Sequence, residues 1–408
     1  MSDIKREKTR KRKKSAAQLE IEELDRKICD AVQAIPSIIK MRHKPLIDRI
    51  LDSDMTREYK LECIKKVPSI GSDGTKQIDW FEGVLKIPWA KYATLPVTKT
   101  SKPADVANFF TKASTILDEA VYGMETVKEE ITNYIAQVIS TDNRSTPRVI
   151  ALCGSPGVGK TVLVRRGLAA ALNRPMKSIS MGGIADSSHF VGFDYTYQGS
   201  RWGLIVAALM ETKVMNPVIF MDELDKISGT HDGIEIQNLL VHLTDPVQNN
   251  TFADKYFAGI NIDLSRVLFV FSYNDEKAVN PILKDRLHII RVPDPALDAK
   301  IIIGTKYLVN ELAENVGFNK GDVIFSPDVM RVIIQTFCKN DKGVRNLKRC
   351  IETIMLKCNT ARYLGDKQKY KCFKGAPSLP INVTEEIARE LLDSGKSDAE
   401  EWLSMMFM

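Results

Sequence analysis

Nothing in the 408 residues is apolar for long enough to cross a membrane, since no run of 18 or more apolar side chains occurs. The basic N-terminus is not followed by the apolar stretch that a secretory signal needs. Histidine is scarce, at five, and none of the seven cysteines forms a CxxC pair or falls at a zinc-ligand spacing with a histidine. An odd cysteine count without such pairs points to reduced thiols, and so to a cytoplasmic or nuclear compartment. No segment recurs at a fixed period, which excludes a solenoid or a propeller. Excess charge is missing from the body of the chain. Residues 1–14 carry eight basic and two acidic side chains, the whole of the +6 net charge, and the remaining 50 basic and 50 acidic groups balance. No bulk positive field therefore draws the body onto nucleic acid.

What is present is a chain of 44% hydrophobic residues, enough for two or three domains with cores of their own. Residues 1–15 read as a disordered basic tail: a nuclear address, an arm for DNA, RNA or an acidic protein, or a solvated tail. Residues 16–105 read as a helical N-terminal region, with Ile21, Leu24, Ile28, Ala31 and Ile35 forming an amphipathic stripe that Pro36 limits. A second helix is expected near Leu46–Leu51, and a helical segment ends at Tyr122-Gly123. Residues 106–295 then alternate helices with short β-rich runs at 149–153, 177–181, 218–222, 267–273 and 289–292, the signature of a parallel sheet covered on both faces. Residues 296–390 turn helical, with helices expected over Leu297–Val316, Pro327–Lys339 and Val344–Leu364 and a strand at Ile381–Val383. Residues 391–408 form a tail whose end, Glu401–Met408, is apolar; it reads as packing on the helical domain or docking to a partner or a neighbouring subunit. The fold class expected is α/β, a P-loop NTPase sheet flanked by helices and followed by a small all-helical lid.

Five features carry chemistry. Gly154-Ser155-Pro156-Gly157-Val158-Gly159-Lys160-Thr161 fits G-x-x-x-x-G-K-[ST] and sits between a strand and a helix. In that context the glycines let backbone N–H groups point at phosphate oxygens, Lys160 reaches the β- and γ-phosphates of ATP, and Thr161 ligates Mg²⁺. About 60 residues on, VIFMDEL ends an apolar strand in Asp222 and Glu223. Asp222 is expected to hold Mg²⁺ through water, and Glu223 to act as general base on the attacking water. Asn274 follows the next strand, where an amide can bond both the γ-phosphate and that water. Arg286 is a candidate arginine finger, worth roughly 10³–10⁵ in rate, or an ordinary surface arginine paired with Asp285. Lys342-Gly343-Val344-Arg345 opens the last long helix, from which Arg345 can contact the γ-phosphate from the lid side.

From about Ile78 to Gly365 the chain resembles the ATPase module of Lon proteases, an AAA+ family. WFEGVLKIPW, ILDEAVYGMETVKEEI, ISMGGIADSSHFVGFDYTYQGSRWGLI, DELDKISG, LTDPVQNNTFADKYF and KGVRNLKRCIE carry the resemblance. It implies a homo-oligomeric ring, usually a hexamer, in which pore loops grip a polypeptide substrate. It implies that Tyr122-Gly123 border the adenine, that Tyr197-Gln198-Gly199 form the gripping loop, and that Arg286 serves a neighbouring subunit. Two departures stand out. Gln198 occupies a position that is usually aliphatic in the family, and the segment before Asp285-Arg286 is one residue longer than its usual pattern. Only about 43 residues follow Gly365 and no Ser–Lys nucleophile segment is recognisable, so the expectation is a motor without peptidase activity. Protein unfolding or remodelling is the function expected. The alternatives are a nucleic-acid-associated ATPase acting through residues 1–14 and a scaffold that binds nucleotide without turnover.

Overall fold

The computed structural model describes residues 16–36, 43–70, 74–141, 148–197, 199–367, 370–373 and 375–393. The basic tail, Gln198 and the apolar C-terminus, with the expectations attached to them, lie outside the described residues. Strands form at the five expected runs, as β1 (Ile150–Cys153), β2 (Met176–Ser180), β3 (Val218–Asp222), β6 (Leu268–Tyr273) and β7 (His288–Arg291), and at two short stretches that the sequence did not mark, β4 (Phe252–Ala253) and β5 (Asn261–Ile262). The five long strands form one sheet in the order β2-β3-β6-β1-β7, every neighbour pair parallel. β4 and β5 make a separate antiparallel ribbon.

The alternation of side chains along each strand feeds two cores. Ile150, Leu152, Phe220 and Val270 pack on one face with Leu117, Ile131, Ile135, Leu163 and Leu168, from the helices Pro103–Ala120 and Glu125–Ser140 and the helix that follows β1. Ile219, Met221, Phe269 and Phe271 pack on the other with Phe190, Ile205, Leu209, Ile236 and Leu240. That second core also takes in Ile64, Trp80, Phe81, Val84 and Trp89. The N-terminal helices Lys44–Asp52, Arg57–Lys66 and Thr75–Lys86 are thus built into the sheet's own core. The stripe of the first helix, Ala16–Ala34, and the residue after it is only partly consumed: Ile28 and Ile35 are buried, whereas Ile21 faces solvent. The helix Pro103–Ala120 runs through the boundary expected between residues 105 and 106, because Pro103 at its first turn starts it earlier.

The chain then leaves the sheet for the lid. Residues 297–316 are helical, with a π-helical stretch at Ile303–Leu308, and are followed by β8 (Val323–Phe325), Pro327–Phe337, Arg345–Leu364, β9 (Ile381–Val383) and a helical stretch over 385–393. Ser326 caps Pro327–Phe337 by accepting from the Val329 N–H, and β8 pairs with β9 in parallel. Leu312, Met330, Ile333, Ile351, Ile354 and Met355 give the lid a core of its own. No helix among the described residues is long and apolar enough to cross a membrane.

Candidate active site

Parallel pairing brings the carboxyl ends of β1, β3 and β6 to one edge of the sheet, where Cys153 lies opposite Tyr273 and Met221 opposite Phe271. Loops leaving such an edge converge on a common crevice. Gly154 leaves β1 with its N–H donating to the Tyr273 carbonyl at 3.3 Å. The backbone then curls through positive φ at Gly157 (+78°) and Gly159 (+104°), a conformation that side chains with a Cβ rarely adopt. Lys160 opens the following helix, and its ammonium points back into the curl. It donates to the Gly154 carbonyl (2.6 Å), the Ser155 carbonyl (3.2 Å) and Asn274 Oδ1 (2.7 Å). Burial pushes the Lys160 amine below its ordinary range, against the opposing pull of Asp222 and Asp225.

The acidic side of the crevice is equally organised. Asp222 Oδ2 accepts from the Thr161 hydroxyl at 3.2 Å, and Asp222 Oδ1 accepts from the Ser272 hydroxyl and, at 3.0 Å, from the Glu223 N–H. Thr161 and Asp222 offer hard oxygen donors beside a phosphate-binding curl, which fits Mg²⁺ bound jointly by protein and phosphate oxygens. Among the described residues no three His, Cys, Asp or Glu converge on a metal, so the phosphates and water would complete that shell. Glu223 sits in the left-handed region at φ +63°, a conformation unusual for a residue with a side chain, and its carboxylate accepts from Ser180 Oγ at 3.3 Å. Asp225 Oδ2 accepts the Asp275 N–H at 3.3 Å and so fixes the backbone next to Asn274.

The helical domain after the sheet reaches the curl at Gly154–Thr161 directly. The Val344 N–H donates to the Gly157 carbonyl at 3.1 Å, and a Cβ added at Gly157 would stand 2.9 Å from Arg345 Cβ. Gly343 is pressed so closely that an added Cβ would stand 2.4 Å from the Pro156 carbonyl oxygen. On the other flank Tyr122 and Tyr307 approach with ring centroids 6.5 Å apart, and the Tyr307 hydroxyl donates to the Asp118 carbonyl at 3.3 Å. Gly123, at φ +69°, turns the chain beside them.

Arg286 is placed differently. It follows the short helix Pro281–Lys284, and its guanidinium pairs with Asp245 at 2.8 Å, not with the adjacent Asp285. This interaction holds the Asp245 carboxyl below the usual carboxylate range. The sequence pointed to Asp285 by adjacency alone; Asp245 arrives through the end of the helix His231–Thr244, which packs beside Pro281–Lys284.

Tyr197 stands on a loop over 193–202, closed at its neck by the Phe193 N–H donating to the Arg201 carbonyl at 3.0 Å. Its side chain is 69% exposed, and Gly199 beside it turns at φ +76°. Lys76 donates from the N-terminal helix to the Thr196 and Tyr197 carbonyls at 2.9 and 3.2 Å. Sequence reasoning missed Tyr307, Asp225, Asp245, Asp254 and Lys76. It also missed Ser272, which left a trace as the one small polar residue in an apolar strand. Asp225, Asp245 and Asp254 lie in DELDKISG and LTDPVQNNTFADKYF, segments that carry the resemblance without marking these acids, whereas Tyr307 and Lys76 stand in no recognised motif.

Residues 150–294 match the family described as ATPase family associated with various cellular activities (AAA), from β1 to just past β7. The chain is 37% identical over 328 residues to a Lon protease homolog of Acanthamoeba polyphaga mimivirus, covering 78% of this chain and 31% of that protein. It is 34% identical to the Lon protease of Halothermothrix orenii, covering 74% and 36% of the two chains. It is also 34% identical to the mitochondrial Lon protease homolog of Homo sapiens, covering 69% and 27%. The chain spans about a third of the length of the curated relatives it matches.

Proposed function

We propose that this chain, which carries an AAA+ ATP-hydrolase module of the Lon type, couples ATP turnover to the unfolding or remodelling of a polypeptide as one subunit of a homo-oligomeric ring. The observation that carries the reading is the meeting of Lys160, Asn274 and the lid's Val344 and Arg345 on a single phosphate-type loop. Mg²⁺-ATP, when bound, supplies the phosphoanhydride bond whose cleavage drives the cycle. The loop N–H groups and Lys160 hold the phosphates, while Thr161 and Asp222 hold the metal. Glu223 takes the proton from the attacking water, and Asn274 orients that water. Arg345 carries the nucleotide state into the lid, since its Cα and Cβ pack on Gly157. Arg286 acts on a neighbouring subunit's nucleotide, released from Asp245 as the ring closes. Tyr197, exposed on its loop, is the surface that grips the chain being moved.

ATP turnover by the purified chain, alone and with an unfolded polypeptide, tests this beside Glu223→Gln. Wild type is expected to hydrolyse ATP, and faster with polypeptide. Glu223→Gln should still bind ATP and lose about 10²–10⁴ in turnover. Equal turnover in the two proteins overturns the assignment of the base, and no stimulation by polypeptide overturns the remodelling reading.

A further inference from the structure

Beneath the Tyr197 loop lies a buried acid with no part in nucleotide chemistry. Asp254 is 1% exposed. Its Oδ2 accepts the Gly203 N–H at 2.8 Å and its Oδ1 accepts the Tyr256 N–H at 2.9 Å. These contacts join the base of the loop to the short helical turn Lys255–Phe257. Close approach requires glycine at both ends of the loop, at Gly192 against this carboxylate and at Gly203 against the Phe190 backbone. A Cβ at Gly192, where φ is +74°, would stand 2.7 Å from Asp254 Oδ1, and one at Gly203 would stand 1.9 Å from the Phe190 carbonyl oxygen. Burial pushes the Asp254 carboxyl up to about 6, so keeping the anion there costs free energy that its backbone donors only partly offset.

Around the acid stands an aromatic floor. Trp202 stacks on Phe257 with centroids 6.1 Å apart and meets Tyr256 edge-on at 5.6 Å, while Tyr195 packs 6.4 Å from Trp80. Gly83 on the N-terminal helix leaves room for the Phe257 ring, where a Cβ would stand 2.9 Å from Cζ. Tyr195 and Trp202 therefore turn into the body, and Tyr197 between them turns out. From this arrangement we infer that Asp254 is the positioning residue of the grip: its carboxylate clamps the loop base at Gly203 to the aromatic floor at Tyr256 and so fixes the angle at which Tyr197 meets a polypeptide. The inference rests on the reading of the Tyr197 loop as the gripping element.

A carboxylate offers an acceptor to each of two N–H donors, whereas an amide of the same shape offers one acceptor and sets an NH₂ against the other donor. Asp254→Asn thus breaks one arm of the clamp with little change of volume. In the full chain, this variant is expected to raise the KM for an unfolded polypeptide in stimulated ATP turnover at least tenfold, while the KM for ATP moves less than twofold. Tyr197→Ala, assayed in parallel, separates the two readings. If Tyr197→Ala leaves the polypeptide KM unchanged, the gripping reading fails, and this inference fails with it. If Tyr197→Ala raises that KM and Asp254→Asn does not, the inference alone is overturned. A rise in both KM values for Asp254→Asn marks a merely structural acid and overturns it as well. Hydrogen exchange in the wild-type chain needs no variant: the Gly203 amide should exchange at least a hundredfold more slowly than the Gly199 amide at the loop tip, and equal rates overturn the clamp.

Discussion

The nucleotide crevice and the Tyr197 loop lie on the same α/β body and are held by opposite means. In the crevice, Lys160, Thr161, Asp222, Glu223 and Asn274 all sit at or just past the ends of β1, β3 and β6, within contiguous stretches of sequence. The sheet's register alone brings them together. The loop draws on three segments far apart in the chain: Thr75–Lys86 with Lys76 and Gly83, residues 192–203, and the turn at Asp254–Phe257. Phosphoryl chemistry needs particular functional groups at set distances, which a strand end and its loop supply locally. A grip needs only an exposed aromatic ring at a fixed angle, and that angle is set by whatever lies underneath. The first site is therefore gathered by the strand ends of one sheet, and the second by contacts between separate segments.

The comparison can be broken most forcefully at Arg286, a nucleotide-site candidate that the strand edge does not gather. Arg286→Ala should lower turnover by roughly 10³–10⁵ if the residue acts as a finger. Mixing Arg286→Ala subunits with Glu223→Gln subunits should restore part of the activity, because each would supply what its neighbour lacks. No recovery in titrated mixtures would return Arg286 to its own subunit, paired with Asp245.

Gly343→Ala sharpens the comparison from the lid side. A Cβ there would stand 2.4 Å from the Pro156 oxygen and 2.6 Å from the Gly157 carbonyl carbon, so the lid must back away. Overpacking of about 1–3 kcal/mol corresponds to a rise of roughly 5- to 150-fold in the KM for ATP. An unchanged KM would separate the lid contact from nucleotide binding.

A smaller effect is expected from pH. The Asp254 carboxyl is raised to about 6 in the folded chain against an ordinary 3.8, so between these values the folded state holds a proton that the unfolded state releases. Stability from this group therefore falls as pH rises through 6, by at most about 2–3 kcal/mol, and is regained toward pH 4. Urea midpoints of wild type and Asp254→Asn should differ in their pH dependence over that window; parallel curves would show that the acid is not strained by burial. Lys76→Ala should do least. Its bonds to the Thr196 and Tyr197 carbonyls are exposed, and their loss should raise the polypeptide KM by up to about fivefold, as for exposed ionic contacts of 0.2–1 kcal/mol. A change as large as that of Tyr197→Ala would make Lys76 part of the grip itself.

The five strands of the main sheet, the curl at Gly154–Thr161, the two acids ending β3 and the helices of the lid were legible in the sequence, because each depends on neighbours within a few residues, whereas the short strands β4, β5 and β8 were not. Apolar runs four to six residues long at strand spacing admit few other structures. Glycine and lysine at fixed offsets after a strand do the same for the phosphate loop. What tertiary structure alone decided were pairings between segments with no local signature. Asp245 takes Arg286 across 41 residues, Asp254 takes Gly203 across 51, and the N-terminal helices enter the sheet's core. A side chain's partner across such a distance follows from how helices and sheet pack. Many acids along a chain could satisfy the same donor, and only the fold determines which one arrives.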